Sequence, residues 1–120
     1  MCQAKDLLHL LSEYEATLRQ SAELPEGGDN VHRKTAVALR RRMADQIASL
    51  AAVGETVFAN DVRKADFRNR ISRVRTAMAL HQASYPIVAI DRQDAAYRTS
   101  VSAVRAANDG FIRWVRIEIG

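Results

Sequence analysis

Apolar residues recur along this chain at steps of three and four, the spacing that gathers side chains on one face of an α-helix. Leu7, Leu11, Tyr14 and Leu18 form the first ladder, broadened by Leu8 and Leu10, while Glu13, Glu15, Arg19 and Gln20 fall mostly on its polar side. This pattern predicts a helix over residues 4–23, stopped by Pro25, Gly27 and Gly28. A second ladder runs through Ala36, Leu39, Met43, Ile47, Leu50, Val53 or Gly54, and Val57. It predicts a helix over 30–58, capped by Asp29 or Asn30 and closed by Phe58. Gly54 lowers helix propensity by about 1 kcal/mol there, so it marks a close helix crossing or a soft point.

Phe67, Ile71, Val74 and Met78 make the third ladder, predicting a helix over 61–83. Asn60-Asp61 is read as a tight turn between helices two and three, with Asp61 capping the third. The competing reading is one helix from Lys34 to Ala83, a rod of roughly 75 Å that would expose its apolar stripe unless a partner chain covered it. Pro86 ends the third helix by restricting Tyr85. Ile87-Val88-Ala89-Ile90 is apolar and partly β-branched, but no other segment reads as its strand partner, so an extended segment or single turn over the bundle end is expected. Asp91 then reads as the N-cap of a fourth helix over 92–117, with Asp94 favouring its first turn. Its ladder is Tyr97, Val101, Val104, Asn108, Phe111 and Val115, and Asn108-Asp109-Gly110 is expected to weaken or kink it. The chain is thus expected to be all-α: one domain over 1–120, folded as an antiparallel up-and-down bundle of four helices. The alternative is a set of helical hairpins that completes its core only as a dimer.

Composition agrees with helix. Only two prolines and five glycines interrupt 120 residues, of which 48% are hydrophobic and 27% charged. Eighteen Lys+Arg against fourteen Asp+Glu give a net charge of +4, which permits anionic partners without requiring them. No run is apolar for the roughly eighteen residues that a membrane helix needs, so no integral membrane association is expected. The polar opening Met1-Cys2-Gln3-Ala4-Lys5-Asp6 does not read as a secretory signal, and a cytoplasmic location is expected. The single cysteine, Cys2, cannot form an internal disulfide.

Chemistry is sparse. His9, His32 and His81 fall on separate segments, without an HExxH motif or the Glu-x-x-His pairs of di-iron bundles, so no metal or other cofactor is expected. Ser12, Ser49 and Ser102 lie in helical patterns without a nucleophile elbow, and Gly27-Gly28 lacks the Lys-Ser or Lys-Thr of a phosphate loop. A non-enzymatic role is favoured. Histidine phosphotransfer domains are similar in architecture, being four-helix bundles with an exposed helical histidine, which would point to His32 or His81. The pattern of lysine and glycine that usually follows that histidine is missing at all three.

Two features remain. Phe111, Ile112, Trp114, Val115, Ile117 and Ile119 crowd the end of the chain, with Arg113 and Arg116 flanking the tryptophan. Tryptophan and arginine suit the centres of protein interfaces, so Phe111, Arg113, Trp114, Arg116 and Ile117 are the candidate protein-binding residues, and the leading expectation is an interaction or regulatory module with a protein partner or as a homodimer. A last core helix would look the same. The second feature is arginine: Arg40, Arg41 and Arg42 in helix two, and Arg63, Arg68, Arg70 and Arg75 in or beside helix three. Pairs seven apart share a face, and cations arrayed on one surface can bind nucleic acid without sequence preference. The competing account is that arginine is a good helix former whose stem covers apolar surface.

Overall fold

The computed structural model describes residues 3–24, 30–87 and 93–120. They form an antiparallel up-and-down four-helix bundle: α1 (Gln3–Glu23), α2 (Asn30–Val57), α3 (Lys64–Ser84) and α4 (Ala95–Ile119). No strand occurs among the described residues. The four apolar ladders converge on one core. Leu7, Leu11 and Tyr14 enter it from α1, Met43, Ile47 and Leu50 from α2, Phe67, Ile71, Val74 and Met78 from α3, and Phe111, Ile112, Trp114 and Val115 from α4. The molecule is elongated, 47 × 25 × 19 Å, with α1 packed most extensively on α2 and α3 on α4.

Helices two and three are separate. Asn60 takes a left-handed φ of 61°, which asparagine tolerates better than most residues, and the chain reverses there. The third helix begins at Lys64 rather than Asp61, because Asp61 serves the turn instead of the helix. Its Oδ1 accepts the Arg63 backbone N–H at 2.8 Å, while Arg63 occupies the N-cap position without a side-chain cap. The fourth helix also starts later than its periodicity suggests. Asp94 is its N-cap, with Oδ2 accepting the Tyr97 N–H at 3.1 Å. The cap expected at Asp91, the Pro25-to-Asp29 loop and Val88–Ile90 lie outside the described residues.

Asn108-Asp109-Gly110 does not break α4, which is helical throughout. Asn108 is 3% exposed and takes up a polar site inside the core: Tyr14 Oη donates to its Oδ1 at 2.5 Å, and its Nδ2 approaches Met78 Sδ at 3.6 Å. Three helices meet at that group. Gly54 proves to be a crossing point. A methyl built on it would fall 2.0 Å from Cζ of Phe67, so the ring lies where any side chain on α2 would stand.

The two ends of the bundle differ. The end at the α2–α3 turn is aromatic: Phe58 packs on Phe67 and Trp114 with ring centroids 5.1 and 5.5 Å apart, and Phe67 on Phe111 at 5.9 Å. At the other end the α4 ladder residues Tyr97, Val101 and Val104 are only half-buried, and polar groups mix with rings.

Candidate functional site

The aromatic end accounts for two of the residues assigned to protein binding. Phe111 (2% exposed) and Trp114 (9%) point into this chain's own core. A partner cannot reach them without opening the bundle. Arg116 is held across the α1–α4 seam by Glu15, Nη2 to Oε1 2.6 Å, and the guanidinium holds that carboxyl below its ordinary range. Arg113 and Ile117 remain outside, and Ile117 is 71% exposed. With Glu15, Asp109, Ile112 and Arg116 they line a shallow cleft of about 370 Å³.

The arginines divide by what they already hold. Arg63 chelates Asp61, reaches Glu118 on α4, and lies over the Phe58 ring at 5.1 Å. Arg68 bonds both oxygens of Glu55 at 2.6 and 2.8 Å. Arg70 pairs with Asp66 and covers Trp114 at 5.3 Å from its centroid. Arg40 donates to the Tyr85 carbonyl at 2.9 Å, and Arg42 to Gln20 at 3.3 Å. Of the seven arginines considered for nucleic acid, only Arg41 and Arg75 are exposed and free of such bonds among the described residues. The interhelical bonds were invisible in the sequence, because Glu15, Glu55 and Glu118 lie 101, 13 and 55 positions from their partners.

The histidines do not converge. His9 pairs with Glu13 on the surface. His32 is half-buried in the first turn of α2. His81 shares a 2.7 Å hydrogen bond with Ser100 of α4 through Nδ1 and stacks against Tyr85 and Tyr97, centroids 5.4 and 5.5 Å away. Burial, then the nearby Arg40 charge, hold its pKa below the ordinary value, so the ring is neutral near pH 7. Among the described residues, no carboxylate orients it. Nor do any three His, Cys, Asp or Glu side chains gather there as a metal site, and no described helix is long and apolar enough to cross a membrane.

His81 and Ser100 form the head of the larger concavity, a groove of about 470 Å³ between α3 and α4. Ser72, Arg73, Thr76, Ala77, Leu80 and Ser84 line its α3 side, and Ser100 and Ala103 its α4 side. Leu80 is 64% exposed on the lip. Among the described residues, Arg73 has no ion-pair partner and no acidic side chain lines the groove. Sequence reasoning missed this site. Its only trace was an unclaimed α3 row at steps of four, Ser72, Thr76, Leu80 and Ser84, whose lone large apolar member has no place in the core ladder. Comparison of the chain with protein-family models, curated proteins and solved structures finds no match.

Proposed function

We propose that this chain is a non-enzymatic protein-interaction module, docking an acidic amphipathic helix of another protein on the α3–α4 groove. The observation that carries this reading is the groove itself: Leu80 stands exposed beside Ala77 and Ala103, and Arg73, unpaired among the described residues, is the only Lys, Arg, Asp or Glu in its lining. An apolar stripe on the incoming helix would cover Leu80, and a carboxylate on it would meet Arg73. The small α4 residues let a helix backbone approach closely. On this reading Arg113 and Ile117, which line the separate α1–α4 cleft, and Phe111 and Trp114, which are buried in the core, take no part in the contact.

A photo-crosslinking amino acid placed at position 80 or 103, in cells that produce the protein, tests the reading. Expected is a discrete protein adduct from both positions, absent from a control at Ala16 on α1, and lost with Arg73→Glu. Adducts that appear equally from position 16, or none from 80 and 103, would overturn it.

A further inference from the structure

We propose that a second face, the outer side of the α2–α3 pair, binds the phosphodiester backbone of duplex nucleic acid without reading its sequence. Glu55 identifies this face, because it leaves α2 to hold Arg68 and Lys64 of α3. Lys34, Arg41 and Ala48 precede Glu55 at intervals of seven, so all four project to the same side of α2. On α3, Arg75 follows Arg68 by the same interval.

The structure separates cations that are spent from cations that are available. Arg63, Arg68, Arg70 and Arg116 hold carboxylates of this chain. Lys34, Arg41 and Arg75 are exposed and hold none among the described residues. The one acid in the double row is Glu55, which is shared by two cations. Asp45, a turn after Arg41, is exposed and forms no ion pair with it. Ala44 and Ala48 on α2 and Ala79 on α3 are small and exposed beside these cations, which keeps the surface low enough for a rigid double helix to lie across it. No exposed aromatic ring occurs among the described residues, so the stacking platform that single strands use is missing from them. Arginine and lysine arrayed on a flat face, without aromatic neighbours, fit phosphate contacts rather than base contacts.

The test is anisotropy of labelled duplexes of unrelated sequence, the corresponding single strands, and anionic phospholipid vesicles, each at several salt concentrations. Expected is comparable binding of all duplexes, weakening roughly 40-fold between about 50 and 200 mM salt if three phosphates are contacted. Arg41→Glu/Arg75→Glu abolishes binding with helicity unchanged. Arg73→Glu/Arg113→Glu, the same charge change at the α3–α4 groove and the α1–α4 cleft, leaves it within about twofold, since those sites are screened from the α2–α3 face. The latter variant lacks Arg73, so duplex binding and partner docking succeed or fail independently. No duplex binding at low salt, equal loss in both double variants, or preference for single strands or vesicles would overturn the proposal.

Discussion

At the scale of single residues, the two internal glycines of the described helices should respond to alanine with opposite signs. Gly54 touches the Phe67 ring so closely that a methyl must displace it. Overpacking of this kind costs about 1–3 kcal/mol and outweighs the gain of about 1 kcal/mol in helix propensity. A methyl on Gly110 would meet nothing within 4 Å, so Gly110→Ala should stabilise the protein by up to about 1 kcal/mol. Urea unfolding of both variants checks the pair, and a stable Gly54→Ala would show that Phe67 can shift without loss. The Tyr14–Asn108 bond gives a second residue-scale expectation. Burial pushes the Tyr14 hydroxyl pKa up, so the group stays a neutral donor to Asn108. Tyr14→Phe leaves the buried Asn108 oxygen without that donor and should cost about 1–3 kcal/mol. Adding Asn108→Leu should recover part of that loss, which a double-mutant cycle measures. The polar step at Asn108 was legible in the sequence as an irregularity; its partner, 94 positions away, was not.

At the scale of elements, the helices and their buried faces were legible because burial follows periodicity: Phe67, Ile71, Val74 and Met78 are the buried residues of α3 and were its ladder. The helix starts were less so. Asp61 and Asp91 were plausible caps by residue type, but Asp61 is bound by Arg63, and α4 is capped by Asp94. Residue type does not say which of two nearby acids the backbone geometry will use. Packing between elements also sets the response to pH. Arg63 holds the Asp61 carboxyl at about 2, below its ordinary 3.8, by side-chain and then backbone hydrogen bonds. A lowered carboxyl pKa gives stability that is present above the unfolded value and is lost as pH falls from about 4 toward 2. His81 is likewise lowered, by burial and by Arg40, so the unfolded chain binds its proton first. Its contribution is therefore complete above the ordinary pKa of 6.5 and declines as pH falls below it. His81→Gln should flatten the stability profile just below pH 6.5 while leaving the acid limb below about pH 4, where Asp61→Asn acts instead. Urea midpoints measured across pH for the two variants separate the two ends of the bundle; identical profiles would remove both assignments.

At the scale of the whole molecule, the fold was legible and the site largely was not, for one physical reason. A helix face is a local property of sequence, but whether that face meets another helix depends on residues far along the chain. Trp114 and Phe111 carried the composition of an interface, yet Phe58 and Phe67 on other elements enclose them. The arginines looked like one basic surface until Glu15, Glu55 and Glu118 took their share. Because the four ladders close on one another within a single chain, the core does not need a second copy to be complete. Light scattering should therefore give a monomer mass of 13.4 kDa at low protein concentration. Trp114 fluorescence should be that of a buried indole in the same dilute solution, and should not change on dilution. If mass rises at high concentration while Trp114 emission stays fixed, the contact is external, and Leu80→Asp should suppress it if the α3–α4 groove provides it. If mass and emission change together, the aromatic end is opening, and the closed single-chain bundle is not the state that dominates in solution.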